Sequence, residues 1–470
     1  MLSRRRLVIC LCLAIAPAPA GAEVLGLSPA DFQASWIDPL RYDSSFDPAA
    51  GFRVATQGTA CVYAAVQLPD QADVESLVFT AVDNNAASDL TVSLMRAQNG
   101  GANGQAVISK ATNGSSSSIR TFLGLPGSGA DTIVDSATEF WWMLACYAST
   151  TSLEFHHVYI VYSGKPAGID TESPTVIPGA AFRTSSSVGL DFHTVTGYQS
   201  GSGLDSNRCV VAPIYLPAGA HIQALEADLW DQSAGANLGL QLRRKRLATS
   251  EGSQLIAEIQ TTGANFSVLH LSTSAISNGT VSPDYQYFLS TPSNCLDAGT
   301  DLRIYSVRVV HDDPIFIDGF ESGNFNPWTS PTAFLVIPPA AFIPAPWDFA
   351  DDAVDLSSGI LDLDENCVVA PVTLPHDAEI SAMTTYLRDG DGSRNLTMRL
   401  RRKRGTTSAV TELASTTTSG SSSVQQTDAV FLQEFVDNDS YHYYVDACLP
   451  GGASAGSFAI HGVKLSYTRP

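Results

Sequence analysis

Apolar and polar residues alternate in short runs along this chain, and long helical periods are hard to find. Three of the clearest runs are LEFHHVYIVYS (153–163), LRIYSVRVVH (302–311) and FAIHGVKLSYT (458–468). Alternation with a period of two residues is typical of β-strands, and the Gly, Asn and Asp residues between the runs are typical of hairpin turns. The pattern therefore predicts an all-β protein made of antiparallel sheets.

The strand pattern occurs three times in one register. Each copy opens with a cysteine that leads to Leu-Pro, in CVYAAVQLP (61–69), CVVAPIYLP (209–217) and CVVAPVTLP (367–375). A turn aspartate follows at the same distance in every copy, as Asp83, Asp231 and Asp389. Several markers that share one register indicate internal repeats.

We therefore predict three tandem homologous domains, each an antiparallel β-sandwich of the jelly-roll type. The predicted bounds are 23–164, 174–312 and 332–470. A linker rich in Gly, Pro and aromatic residues, at 313–331, separates the second domain from the third.

The N-terminus has the pattern of a secretory signal peptide. Arginines at 4–6 precede an apolar run at 7–16, and small residues follow with Ala20 and Ala22 in the positions of a cleavage site. We predict a signal peptide over 1–22, and the alternative is an N-terminal membrane anchor. No later apolar run is long enough to span a bilayer. The mature chain is therefore predicted to be secreted or at the cell surface, with the periplasm as an alternative.

The six mature cysteines come in pairs of similar spacing, one pair to a domain. Export brings a chain to an oxidising compartment, where paired cysteines form disulfides. The alternative is bridges between domains. The repeat favours one disulfide within each domain, joining Cys61 to Cys146, Cys209 to Cys295 and Cys367 to Cys448.

The sequence carries a formal net charge of −21, yet it contains QLRRKR (241–246) and nearly repeats it as RLRRKR (399–404). Such basic runs are typical of nuclear signals or nucleic-acid contacts. Export and the acidic charge argue against both, because contacts to phosphates require a positive potential. We predict no nucleic-acid partner, and the repeat register places each run at the end of a core strand.

Only one basic position of this strand recurs in all three domains, as Arg96, Arg244 and Arg402. We predict a structural arginine there, with its stem packed at the rim of the sandwich and its head paired or solvated. Lys245 and Lys403 are predicted to lie at the surface. Glutamate at either lysine should then barely change stability.

The sequence shows no familiar catalytic motif. None of the nine histidines recurs in register in all three domains. The chain contains no His-Glu-x-x-His motif, no Gly-x-Ser-x-Gly motif and no phosphate-binding loop. We therefore predict a protein that is not an enzyme and has no obligatory cofactor.

One turn, DGDGSRN (389–395), has the acidic pattern of a calcium site. Asp389 and Asp391 could present carboxylates at alternate positions, as a hard cation requires. The position at which an EF-hand needs a bidentate carboxylate is Leu400. Calcium at these two aspartates is one hypothesis, and a hairpin turn stabilised by its own side chains is the other.

Aromatic pairs precede the second cysteine of each domain, in FWWMLAC, YQYFLS and YHYYVDA. Since alternate residues of a strand point to opposite faces, one ring of each pair is expected to face outward. Trp142 (or Trp141), Tyr287 and Tyr443 are the predicted ligand-binding rings. The alternative is that these rings fill the sandwich or an interface between domains.

The linker segment DGFESGNFNPW (318–328) resembles a short DGFESG segment that recurs, often at a domain edge, in exported proteins of Gram-negative bacteria. The three domains also resemble repeats of secreted bacterial proteins to which no activity is attached. The resemblance implies export and a modular surface protein, and it implies no reaction.

The sequence thus predicts a secreted or cell-surface protein that binds or supports rather than catalyses. Adhesion or contact with a surface polymer would fit three repeated modules, because weak sites in tandem gain avidity. The alternative is a carbohydrate-binding array or an accessory module of a polysaccharide-active exoprotein. The predicted partners are a glycan or a protein at the cell surface.

Overall fold

The computed structural model of the chain describes most of the three predicted domains. The described residues are 22–27, 32–34, 53–54, 59–98, 104–136, 138–148, 153–163, 172–178, 181–184, 191–192, 199–200, 210–235, 237–249, 251–292, 302–312, 332–345, 354–355, 360–363, 367–404, 410–438, 440–448 and 457–468. The predicted linker and all but the last residue of the predicted signal peptide lie outside these ranges. Among the described residues, no helix is long and apolar enough to cross a membrane.

Unit 1 contains the first ten strands. They are β1 (Ala22–Leu27), β2 (Gln33–Ala34), β3 (Arg53–Val54), β4 (Thr59–Val66), β5 (Asp73–Asp83), β6 (Leu90–Gln98), β7 (Gln105–Ala111), β8 (Ser116–Gly124), β9 (Glu139–Ala148) and β10 (Leu153–Ser163). Sheet 1A has the order β1-β10-β5-β8, with β3 also on β10, and sheet 1B has the order β2-β4-β9-β6-β7. All pairings are antiparallel.

Unit 2 repeats this arrangement. Its strands are β11 (Glu172–Pro178), β12 (Arg183–Thr184), β13 (Asp191–Phe192), β14 (Gln199–Ser200), β15 (Val210–Ile214), β16 (His221–Asp231), β17 (Gly239–Arg246), β18 (Gln254–Gln260), β19 (Leu269–Thr273), β20 (Tyr285–Ser290) and β21 (Leu302–Asp312). Sheet 2A has the order β13-β14-β21-β16-β19, with β11 also on β21, and sheet 2B has the order β12-β15-β20-β17-β18.

Unit 3 does so again. Its strands are β22 (Thr332–Ile337), β23 (Ile343–Ala345), β24 (Val354–Asp355), β25 (Ile360–Leu363), β26 (Cys367–Val372), β27 (Glu379–Asp389), β28 (Thr397–Arg404), β29 (Val410–Thr417), β30 (Ser422–Phe435), β31 (Tyr441–Cys448) and β32 (Phe458–Thr468), with a 3-10 turn at Pro339–Ala341. Sheet 3A has the order β24-β25-β32-β27-β30, with β22 also on β32, and sheet 3B has the order β23-β26-β31-β28-β29. The all-β, antiparallel prediction is confirmed.

The two sheets of each unit pack face to face around a core of their own. In unit 1, Phe79 and Val158 of sheet 1A meet Leu94 and Met143 of sheet 1B, and all four are buried. Corresponding cores fill units 2 and 3. Full burial of one such side chain contributes about 1.5–3 kcal/mol, so each unit has a hydrophobic basis for its own fold.

The predicted disulfides are confirmed in the two units where the structure describes the cysteines. Cys61 and Cys146 are bonded between directly opposite positions of β4 and β9. Cys367 and Cys448 are bonded in the same way between β26 and β31. The prediction for Cys209 and Cys295 falls outside the described residues.

The three units are not arranged in a simple row, because each packs a sheet against the next and unit 3 returns to unit 1. Trp142 of sheet 1B meets Tyr305 of sheet 2A. Phe288 of sheet 2B meets Ala340 of unit 3. Asn438 of unit 3 donates to the Val24 carbonyl of unit 1 over 3.3 Å. Counted by sheets, the fold is a closed ring of six, face to face like the blades of a propeller.

Candidate functional site

The recurring turn aspartate ties the two sheets of each unit together. In unit 3, Asp389 is fully buried, and its Oδ1 accepts a hydrogen bond from the Asp391 N–H over 3.0 Å. Its Oδ2 accepts from the Thr418 hydroxyl, which in turn accepts from the Leu396 N–H over 2.8 Å. The same contacts occur in the other two units. They join Asp83, Asn85, Thr112 and Leu90 in unit 1, and Asp231, Ser233, Thr261 and Leu238 in unit 2.

These contacts favour the hairpin-turn interpretation over calcium. Both carboxylate oxygens of Asp389 are already hydrogen-bonded, and Asp391 accepts from the N–H and the hydroxyl of Ser393. Within the described ranges, no group of three or more His, Cys, Asp or Glu residues is placed to hold a metal ion. The threonine partner was missed from sequence, because it follows the aspartate by 29 residues in units 1 and 3 but by 30 in unit 2.

The three recurring arginines lie at the ends of their strands. The Arg402 guanidinium pairs with Glu434 and lies 4.5 Å from the centre of the Tyr441 ring. Arg244 lies 4.4 Å from the centre of the Tyr285 ring. In unit 1, acids replace the ring, since Arg96 pairs with Asp131 at 3.0 Å and with Glu139 at 3.3 Å.

The three aromatic residues predicted to bind a ligand are buried, which corrects that prediction. Trp142 is 0% exposed, Tyr443 1% and Tyr287 4%. The hydroxyls of Tyr287 and Tyr443 accept backbone hydrogen bonds within their own units. Trp142 lies in the interface between units 1 and 2. The alternation rule assumes one solvent-exposed face, whereas both faces of β9 are covered here.

The surface positions predicted for Lys245 and Lys403 are also wrong, because both lysines are fully buried between units. The Lys245 ammonium lies 3.2 Å from Nδ1 of His461 and donates to the Thr249 carbonyl over 2.7 Å. The Lys403 ammonium lies 3.0 Å from Nδ1 of His156. Burial lowers the pKa of Lys245 to about 8 and that of Lys403 to about 7.

A shallow cleft with an enclosed volume of about 20 Å³ lies where units 2 and 3 meet. Tyr215 and Tyr285 of unit 2 and Phe334 of unit 3 line it, and all three rings are partly exposed. Two cations lie beside these rings, Arg244 at Tyr285 and Lys464 at 5.5 Å from the centre of the Phe334 ring. The cleft is too small to enclose a ligand, and a ligand would instead contact the partly exposed rings around it.

No family model matches the chain, and no curated protein matches its sequence. Among solved structures, the tandem of CBM22 domains from Xyn10C of Paenibacillus barcinonensis is 10% identical, over 62% of this chain and 93% of that chain, with a TM-score of 0.20. An isomalto-dextranase of Arthrobacter globiformis T6 in complex with panose is 12% identical, over 55% of this chain and 36% of that chain, with a TM-score of 0.22.

A truncated AlyQ with CBM32 and alginate lyase domains is 12% identical, over 62% of this chain and 99% of that chain, with a TM-score of 0.19. Scores of this size do not establish a shared fold. The ligands and activities of these proteins therefore do not carry over to this chain.

Proposed function

We propose that this protein is an exported, non-catalytic binding protein, and that the exposed rings around the cleft between units 2 and 3 contact one sugar residue of a surface polymer. The observation that carries the proposal is the set of three partly exposed rings, Tyr215, Tyr285 and Phe334, around one concave surface. Aromatic side chains combine a flat apolar face with, in tyrosine, a polar tip. That combination suits a ligand with apolar C–H faces and hydroxyl edges.

The size of the cleft and the charges beside its rings limit which ligands fit. The enclosed volume of the cleft is about 20 Å³, close to the room that one water needs, so a sugar ring would lie across the exposed aromatic rings rather than inside the cleft. Arg244 and Lys464 lie over the Tyr285 and Phe334 rings and can donate hydrogen bonds to the hydroxyls of a sugar. We expect a neutral or weakly anionic hexose unit.

Export rests on the N-terminal sequence and on disulfides. Cross-strand bonds such as Cys61–Cys146 persist in oxidising compartments and are rare in reducing ones. Fractionation of the native host, with the protein followed by antibody, tests this part. Recovery from medium or envelope supports export, and recovery from the cytoplasm alone overturns it.

The binding proposal is tested with a glycan array followed by calorimetry on the best ligand. Tyr285→Ala should weaken binding at least about tenfold. Loss of the ring that stacks on the sugar should cost about 1.4 kcal/mol or more, which corresponds to that factor. Tyr285→Phe keeps the ring and should retain most of the affinity. Phe266→Ala is the matched control, because this ring is 81% exposed on unit 2 and lies outside the cleft. Silence across the array, or equal binding by Tyr285→Ala, would overturn the proposal.

A further inference from the structure

The three interfaces of the ring use the same strand positions but differ in chemistry. The first position lies near the end of β6, β17 and β28, where units 1, 2 and 3 have Ala97, Lys245 and Lys403 respectively. Its partner in the next unit is a residue skipped by the strand pairing, Tyr305, His461 or His156. Interface 1–2 therefore joins Ala97 and Tyr305 in an apolar cluster, whereas interfaces 2–3 and 3–1 each join a lysine to a histidine.

Interface 3–1 contains two more buried imidazoles. His157 of β10 and His442 of β31 stack with ring centres 5.2 Å apart, and they are 1% and 3% exposed. Nε2 of His157 and both ring nitrogens of His442 have no hydrogen-bond partner among the described residues. A buried polar atom without a partner is costly, and a proton added there would bring an uncompensated charge.

Nearby charges mostly add to that cost. Lys403 faces His156, His157 and His442 of interface 3–1, and Glu154, at 3.1 Å from His156 and a third exposed, is the acid on the other side. In interface 2–3, Lys245 and Arg388 face His461, and Glu251 faces Lys245. Asp446 of sheet 3B is paired with Arg399 and Arg401.

Interface 1–2 has no imidazole at the positions equivalent to His157 and His442. Phe140 and Trp142 stack there with ring centres 5.4 Å apart. The charged groups on this side of sheet 2A are matched with one another. Arg308 pairs with Asp228 at 3.0 Å and with Glu226 at 3.1 Å, and His270, half exposed, lies 3.0 Å from Asp228.

We propose that mild acid releases unit 3 from the ring by charging the buried histidines of interfaces 2–3 and 3–1, while units 1 and 2 stay joined through the apolar interface 1–2. The units themselves keep their cores and their disulfides. Units 2 and 3 remain connected by the chain between Asp312 and Thr332.

The sign of the effect follows from proton linkage. Burial, with Lys403 nearby, lowers the pKa of His157 to about 3, and burial, with Lys245 and Arg388 nearby, lowers that of His461 to about 3. Burial also lowers the pKa of His442 well below its usual value. In an open interface these imidazoles return to their ordinary pKa, so the open form binds more protons. The closed ring therefore loses stability as the pH falls below about 6.5.

The size of the effect is large enough to measure. For a pKa that changes from about 6.5 to about 3, linkage shifts the equilibrium toward the open form about 30-fold at pH 5 for each of His157 and His461. The lysines act in the same direction at higher pH, because burial lowers the pKa of both. Asp446 acts in the opposite direction, because burial raises its pKa. The combined effect of His157, His442 and His461 must therefore outweigh that of Asp446.

The test is small-angle X-ray scattering of the full mature chain between about pH 8 and pH 5, with circular dichroism on the same samples. A compact chain of this length has a radius of gyration of about 22 Å, and release of one unit should raise it by several ångströms. A concentration series separates opening from association, which matters because the sequence pI is about 4.6. A constant radius, or a loss of β-signal together with the increase, would overturn the proposal.

Interface 1–2 supplies the design of the variant that should not respond. Lys403→Ala, His156→Tyr, His157→Ser and His442→Phe copy the residues that occupy the equivalent positions there, and Lys245→Ala with His461→Tyr does so for interface 2–3. This variant should stay compact at pH 5, and the exposed control His221→Gln should open as the wild type does. If the combined variant does not fold, His442→Phe alone should lower the midpoint pH of opening. An unchanged midpoint in the variants would count against the proposal.

Discussion

At the scale of single residues, the most informative feature is an aspartate whose role its sequence position alone leaves open. Asp389 lies in a Gly-rich turn whose sequence pattern is typical of a cation ligand. Burial and the contact with Thr418 instead make it a cross-link between two sheets. The turn could be predicted from sequence, whereas the threonine comes from the other sheet and could be assigned only after folding.

Asp389→Asn should therefore lower the free energy of unfolding by about 1–3 kcal/mol, since it weakens a charge-assisted hydrogen bond in a buried site. The measurement is urea unfolding of the mature chain followed by intrinsic fluorescence. Asp391→Asn is the matched control, because its contacts are confined to the turn, and it should change the midpoint little. Equal losses in the two variants would contradict the cross-link.

At the scale of elements, a bulge places the residue that each unit presents to its neighbour. Strand pairing skips His156 between Phe155 and His157, and β21 and β32 show the same irregularity at Tyr305 and His461. A β-bulge redirects one side chain without ending the strand. Simple alternation does not reveal such a position, which is why the lysine–histidine contacts were not predicted.

The turn after Leu-Pro offers a second element that the repeat makes comparable. Gln71 and Asp377 have φ of 62°, and Gly219 occupies the same place with φ of 88°. All three donate their backbone N–H to the same kind of acceptor, for example Gln71 to the Val134 carbonyl over 2.8 Å. The left-handed conformation is therefore built into this turn, whatever residue stands there.

Gln71→Gly should stabilise unit 1 by up to about 1 kcal/mol. Relief of left-handed strain exceeds the extra freedom that glycine has in the unfolded chain. The Gln71 side chain is exposed, so little packing is lost. Thermal unfolding measures the change, and the reciprocal Gly219→Gln should shift the midpoint in the opposite direction. A shift of the same sign in both variants would refute the account of this turn.

At the scale of the whole molecule, ring closure determines which residues are buried. Strand β10 has only three residues that are not buried, because one face packs in the core of unit 1 and the other meets unit 3. When the second face of a strand carries Lys, His and Tyr, its sequence pattern looks the same whether that face is exposed to solvent or covered by another unit. The basic run of β28 was assigned to the surface for that reason.

Lys403→Glu should therefore destabilise the ring by about 3–5 kcal/mol, since it leaves a buried carboxylate beside His156 in the place of a partnered lysine side chain. Arg404→Glu is the matched control one residue along, at an exposed position, and should have a small effect. Scattering at about pH 8 together with the thermal midpoint measures both. Similar behaviour of the two variants would restore the surface assignment of Lys403.

Local sequence determined much of this protein. Period-two alternation placed the strands, the shared register of cysteine, Leu-Pro and aspartate revealed three copies, and the repeat selected the pairing of Cys61 with Cys146 and of Cys367 with Cys448. These features depend on residues within one unit. The tertiary structure alone decided that the units close on one another, which buries Trp142 and Lys403. The physical reason is that Lys403 and His156 meet across 247 positions of sequence, and alternation within a strand reports only that a face is buried, not what covers it.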